Sequence, residues 1–123
     1  MLVNLLEIGI DCVEISRFSK NIISKENIIN KIFTKNEIQY CKKKINKSQH
    51  YAVRYAGKEA VIKAFSCYKI KILMNQIEIL NKKNGNPFVK ILDDKLSDFN
   101  IKISLSHSKE IAIAAAIVTK SRL

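Results

Sequence analysis

Apolar residues run almost unbroken from Leu2 to Cys12, which predicts a strand over Leu5 to Asp11 ending on Gly9-Ile10-Asp11. From Val13 the interval lengthens: Ile15, Phe18, Ile22 and Ile23 recur at helical spacing, so a short amphipathic helix exposing Arg17 and Lys20 is expected. A second helical stretch covers Glu26 to Phe33. Thr34-Lys35-Asn36-Glu37 then has the form of a capping box opening a helix through Ile38, Tyr40 and Cys41. The longest helix opens near Ser48, a plausible N-cap, and runs to Phe65. On it Ala52, Tyr55, Ala56, Glu59, Ala60 and Lys63 share one face, while Val53, Val61, Ile62 and Phe65 cover much of the rest, so the helix is expected to be largely buried.

After Phe65 the period falls to two. Gln76 to Leu80 and Phe88 to Ile91 flank Asn81-Lys82-Lys83-Asn84-Gly85-Asn86-Pro87, whose Asn-Gly and Pro mark a hairpin turn. Asp93 to Phe99 reads as a short helix. Ile101, Ile103 and Leu105 alternate with polar residues, and Ser106 to Glu110 turns into a closing strand, Ile111 to Val118. Helices precede antiparallel strands, which gives an α+β fold with a long central helix packed on an antiparallel sheet. The length of 123 residues fits one domain, 1–123, with no linker or repeat.

Composition changes this picture in three ways. The net charge of +11 implies an anionic partner: nucleic acid, phospholipid, a phosphorylated small molecule or an acidic protein. The richness in Lys, Ile and Asn also looks like the drift of an AT-rich genome, so part of the charge can be mutational bias. Cys12, Cys41 and Cys67 are odd in number and lack a CxxC spacing, which suggests neither a disulfide framework nor a zinc site. The longest apolar run is far short of the ~20 residues needed to span a bilayer, and the start lacks the features of a signal or transit peptide. A soluble chain without a membrane partner is expected, cytoplasmic if bacterial, or plastid (apicoplast) if from an AT-rich parasite whose leader was removed.

The chemistry lies in three places. Glu59 and Lys63 stand one helical turn apart among small and apolar neighbours, where a charge needs a partner, a metal or a ligand. The same spacing also makes an ordinary surface ion pair worth only ~0.2–0.5 kcal/mol. Asp11 at its strand end supplies a second carboxylate, and Ser104-Leu105-Ser106-His107 lies at a turn. Two carboxylates from different elements suit Mg²⁺, which takes only one or two protein carboxylates beside waters and phosphate oxygens. Lys63, one turn past Glu59, is placed to neutralise phosphate charge. Lys42-Lys43-Lys44 and Lys47 form either a solvated basic face or a phosphate-binding rim.

Several stretches, in one order and spanning nearly the whole chain, resemble the holo-acyl-carrier-protein synthase family of small 4'-phosphopantetheinyl transferases. They are Ile8 to Phe18 with its Gly9-Ile10-Asp11, Phe33-Thr34 with Glu37, Arg54 to Phe65, Asn84-Gly85-Asn86-Pro87, and Ile103 to His107. The resemblance implies transfer of the phosphopantetheine arm of coenzyme A to a serine of apo acyl carrier protein, in support of fatty acid biosynthesis. By it, Asp11 and Glu59 hold Mg²⁺ against the coenzyme A pyrophosphate, Glu59 takes the serine proton directly or through a metal-bound water, and Lys63 stabilises the departing adenosine 3',5'-bisphosphate. Arg54, Lys58, Lys63, Asn84, Gly85, Pro87 and His107 are implied in the coenzyme A pocket, some from the adjacent chain of a homotrimer. Arg17, with Lys20 and Lys25, is implied in docking the acidic carrier protein. His107 has a plainer role open to it, capping its own turn, and Gly85 serves any hairpin of this kind. The chain departs from the family pattern where Ser66-Cys67-Tyr68-Lys69 carries no glycine and where Gly57 replaces the usual alanine.

Two rivals make different demands. A small basic nucleic-acid-binding α+β domain predicts aromatic and basic residues interleaved on strands, whereas the later strands are mainly Ile, Leu, Val and Ala. An inactive structural trimer has no need for Asp11, Glu59 and Lys63 together.

Overall fold

The structure, a computed structural model, describes residues 5 to 120. Strand β1 (Leu5–Glu14) is followed by a 3-10 turn (Ile15–Phe18) and helices α1 (Lys20–Ile23), α2 (Glu26–Ile32), α3 (Lys35–Lys42) and α4 (Lys47–Ser66). A 3-10 turn at Met74–Gln76 leads into hairpin strands β2 (Ile77–Asn81) and β3 (Pro87–Ile91). A further 3-10 turn (Asp94–Leu96) precedes β4 (Phe99–His107) and β5 (Ile111–Lys120). The strands form two antiparallel sheets, one ordered β1-β5-β4 and one made of the β2-β3 hairpin. Among the described residues no helix is long and apolar enough to cross a membrane.

The core lies between α4 and the three-stranded sheet. Ala52, Ala56, Ala60 and Ala64 recur every four residues on α4 and are fully buried, as are Ala112, Ala114, Ala116 and Val118 at alternate positions of β5. Small residues on both sides let helix and sheet approach closely. The tightest point is Gly9, where an added Cβ would stand 1.9 Å from the Ala60 carbonyl oxygen and 2.9 Å from the Ala64 nitrogen. Gly57 is close-packed on its own side of α4, but a Cβ there would meet the end of the Ile79 side chain at 2.5 Å.

Four expectations need correction. The helix read over Asp93 to Phe99 is only the 3-10 turn at Asp94–Leu96, because Phe99 already belongs to β4, paired with Lys120 of β5. β1 does not end at Asp11 but pairs with β5 as far as Glu14 opposite Ile111, because the ladder holds residues that local spacing alone reads as helical. The helix expected from Val13 is instead a 3-10 turn and one turn of α1, separated at Ser19, whose hydroxyl accepts from the Ile22 N–H at 3.4 Å. Ser48 is not the cap of α4, since the helix begins at Lys47 behind Asn46. Its hydroxyl donates instead to the Phe18 carbonyl, tying α4 to the 3-10 turn. The capping box of α3 is present, with Thr34 N–H donating to Glu37 Oε1 at 2.9 Å and Glu37 N–H to Thr34 Oγ1 at 3.3 Å.

The missing glycine after α4 has a structural consequence. Ile70 N–H donates to the Phe65 carbonyl at 3.2 Å and Lys69 N–H to the Ser66 carbonyl at 2.9 Å, the pattern of a Schellman ending. Its left-handed position falls on Lys69, at φ 60°. A lysine there carries strain that glycine avoids, so Lys69→Gly should raise stability by ~0.5–1 kcal/mol, read as a higher urea midpoint with unchanged slope.

Candidate active site

Alternation along β1 turns Gly9, Asp11 and Val13 toward α4, and the absence of a side chain at Gly9 brings the strand against the Ala60 turn. Asp11 therefore faces Lys63. Lys63 Nζ donates to Asp11 Oδ1 at 3.1 Å and to the Ile10 carbonyl at 3.0 Å, while 53% of the lysine side chain stays exposed. Glu59, one turn before Lys63, is half-buried. Its carboxyl is pushed above the ordinary glutamate range, first by burial and then by the charge of Asp11, with Lys63 and Arg17 pulling it back down. Asp11, Glu59, Lys63 and Arg17 thus share one electrostatic neighbourhood. Arg17 lies at the end of its 3-10 turn with its guanidinium 5.1 Å over the Tyr55 ring.

Repelling carboxylates flanked by cations are arranged to receive a divalent cation. Among the described residues no three His, Cys, Asp or Glu side chains converge. Two hard-oxygen ligands alone fit Mg²⁺, which fills its shell with waters and substrate phosphates.

The remaining implied site residues divide into three groups. Arg54 is 3% exposed; its guanidinium lies 4.0 Å over the Tyr40 ring and Nη2 donates to Asn81 Oδ1 at 2.5 Å. Asn81 Nδ2 in turn donates to the Gly85 carbonyl at 2.9 Å. Gly85 adopts φ +92°, which only glycine takes without strain, and Asn84 Oδ1 accepts from the Asn86 N–H at 3.0 Å. Pro87 opens β3 opposite Asn81. The Asn84-Gly85-Pro87 edge and Arg54 are therefore one connected unit.

His107, exposed at the end of β4, has Nε2 3.0 Å from Gln49 Nε2 and Nδ1 3.3 Å from the Ser108 carbonyl. A neutral ring protonated on Nδ1 satisfies both contacts, accepting from Gln49 and donating to Ser108. It lies within electrostatic reach of His50, whose pKa is lowered by burial first and then by Arg54, Lys44 and His107. Lys20 and Lys25 are exposed, as is Arg17, and Lys20 lines a cavity of about 590 Å³ with Ile15, Ile23, Ile45, Lys47 and Lys109.

Lys58 is misplaced in the coenzyme A pocket. Its ammonium is fully buried, 2.7 Å from Glu37 Oε1, and it donates to the Met74 carbonyl at 2.9 Å and to the Ile77 carbonyl. Glu37 Oε2 accepts from the Ile79 N–H at 2.7 Å, and Glu78 beside it accepts from Thr34 Oγ1 at 2.5 Å and Asn36 Nδ2 at 3.2 Å. Burial pulls the Lys58 pKa down while Glu37 opposes that shift. Removing one partner of such a pair typically costs ~3–5 kcal/mol, so this lysine clamps α3, α4 and β2 together. One signal was available in the sequence, because Lys58 shares a helical face with Val61, Ile62 and Phe65.

Two carboxylates, an ammonium and a guanidinium in one electrostatic neighbourhood are the equipment of a transferase acting on phosphate esters. The chain belongs to the 4'-phosphopantetheinyl transferase superfamily, whose profile matches residues 7–116. Within it, the chain is similar to holo-[acyl-carrier-protein] synthases. That of Fusobacterium nucleatum is 38% identical over 121 residues, covering 93% of this chain and 98% of the relative. That of Thermodesulfovibrio yellowstonii is 42% identical over 116 residues, covering 91% and 96%. The holo-(acyl-carrier-protein) synthase of Bacillus anthracis, solved in complex with CoA (3',5'-ADP), superposes with a TM-score of 0.79 at 28% identity, over 97% of this chain and 100% of that one.

Proposed function

We propose that this enzyme transfers the 4'-phosphopantetheine group of coenzyme A to a serine of apo acyl carrier protein in a Mg²⁺-dependent reaction, in support of fatty acid biosynthesis. The observation that carries the reading is the meeting of Asp11, Glu59 and Lys63 across β1 and α4. Bound at Asp11 and Glu59, Mg²⁺ would supply charge neutralisation to the pyrophosphate. Glu59 accepts the serine proton as the serine oxygen forms its bond to the phosphorus that carries the pantetheine arm. The bond from that phosphorus to the bridging oxygen breaks, and adenosine 3',5'-bisphosphate departs with the electron pair. Lys63 offsets the charge that gathers on it.

A homotrimer is supported by the outer face of the three-stranded sheet, where Leu6, Ile8 and Ile10 are 57%, 62% and 63% exposed beside Ile113 and Ile117. In such an assembly the Arg54–Asn84–Gly85–Pro87 unit and His107 of one copy complete the cleft of its neighbour. Carrier docking on Arg17, Lys20 and Lys25 is supported by the nearness of Arg17 to Glu59, which brings an arriving serine to the reacting cleft. Arg17→Ala should raise the KM for carrier protein ~10-fold at low salt, with less effect as salt rises and little change in the KM for coenzyme A. Steady-state rates at two ionic strengths check this, and a rise in the coenzyme A KM instead would misplace the docking surface.

The nucleic-acid rival is disfavoured because among the described residues every Phe and Tyr is buried or half-buried, leaving no platform for base stacking. Mass spectrometry of apo carrier protein incubated with coenzyme A and Mg²⁺ tests the proposal. The expected product carries the phosphopantetheine arm, and a carrier of unchanged mass overturns the assignment.

A further inference from the structure

The sequence gives Asn81 no role, yet it joins a buried anchor to an exposed loop. Its Oδ1 accepts from Arg54 Nη2 at 2.5 Å and its Nδ2 donates to the Gly85 carbonyl at 2.9 Å. The anchor is rigid, since Arg54 is packed over Tyr40 and its Nη1 reaches the His50 carbonyl at 3.5 Å. The loop is held from within by Lys82 N–H to the Asn86 carbonyl at 2.8 Å and Gly85 N–H to the Lys82 carbonyl at 2.9 Å. Those internal bonds fix the shape of the loop. The β2–β3 ladder ends at Asn81 opposite Pro87 and the Lys58 clamp holds β2 at Ile77, so beyond them the Arg54–Asn81–Gly85 line is a further tie from α4 to the loop itself.

We propose that Asn81 is a positioning residue for coenzyme A recognition, carrying the fixed place of Arg54 through to the Gly85 carbonyl and so setting where the Asn84-Gly85-Pro87 edge stands. The inference rests on the function proposed above, in which that edge lines the coenzyme A pocket. The chemistry selects the residue type: the position needs one acceptor for a guanidinium and one donor for a carbonyl on a side chain of this length. Aspartate offers only acceptors, lysine only donors, and glutamine is a methylene too long. Asn81 is exposed, so the loss of one amide bond there weighs little on global stability and falls on the placement of the loop.

Asn81→Asp makes the test, because it keeps the acceptor for Arg54 and puts an oxygen where the donor to Gly85 stood. The amide protons of Gly85 and Asn86 should exchange faster than in the wild type. The KM for coenzyme A should rise ~10-fold while kcat and the KM for carrier protein stay within ~2-fold, the signature of altered placement of one substrate. Unchanged exchange, an unchanged coenzyme A KM, or an equal fall in kcat and thermal stability would each overturn the proposal. The exchange comparison needs no turnover. If wild-type protein fails to bind coenzyme A, the function proposed above falls, while loop exchange in the variant still decides whether Asn81 sets the loop.

Discussion

Glu59→Gln should lower the rate of transfer by ~10²–10⁴-fold, the span that a lost general base accounts for, while the fold remains intact. Glutamine keeps the size and the hydrogen-bonding reach of glutamate and removes only its charge. The stability of this variant carries a second prediction of known sign. Glu59 has a folded pKa raised above its unfolded value, chiefly by burial and then by Asp11. A carboxyl of that kind favours the folded state while protonated, and this contribution is lost as pH rises through the folded pKa. At neutral pH, without metal, the ionised Glu59 therefore costs stability. The glutamine variant should unfold at a slightly higher temperature than wild type near neutrality, and the gap should close at acid pH, where wild-type Glu59 is itself neutral. An unaffected transfer rate would remove Glu59 from the reacting centre.

Gly9→Ala should destabilise the protein by ~3 kcal/mol or more, because the new methyl group meets backbone that cannot rotate away. At 1.9 Å from the Ala60 carbonyl oxygen and 2.9 Å from the Ala64 nitrogen, the Cβ forces β1 and α4 apart. Asp11 is two residues along the same strand face, so the separation also carries its carboxylate away from Glu59 and Lys63. Activity measured at low temperature, where the variant is still folded, should fall along with the urea midpoint. Gly57→Ala is the control, since its Cβ meets only side-chain ends, those of Ile79, Ile103 and Leu105, and any loss there should be smaller. Full activity in folded Gly9→Ala protein would show that the spacing of strand and helix does not set the site.

Much of this was open to reading because it is local. The capping box at Thr34, the hairpin around Asn84-Gly85 and the buried length of α4 each depend on residues within a turn or two of one another. The gathering of Asp11, Glu59 and Lys63 was reached through family resemblance together with the logic of paired carboxylates, and β1 and α4 do bring Asp11 to Lys63. What stayed hidden depends on distant partners. The extension of β1 to Glu14 is set by pairing with β5, a hundred residues away in the chain. Glu37 reads as a cap because its local bond is to Thr34; its second oxygen, used by Ile79, and its salt bridge to Lys58 join elements that no sequence spacing connects. The contacts that seat Arg54, with Asn81 and over the Tyr40 ring, likewise come from other elements and leave no mark in its local sequence.

In the proposed reaction one divalent ion is shared by two side chains from distant parts of the chain. Calorimetric titration of Mg²⁺ into protein saturated with coenzyme A addresses it directly, in the wild type and in Asp11→Asn and Glu59→Gln. One site per chain in the wild type, lost or greatly weakened in each variant, is the predicted result. Equal Mg²⁺ affinity in all three proteins would contradict it.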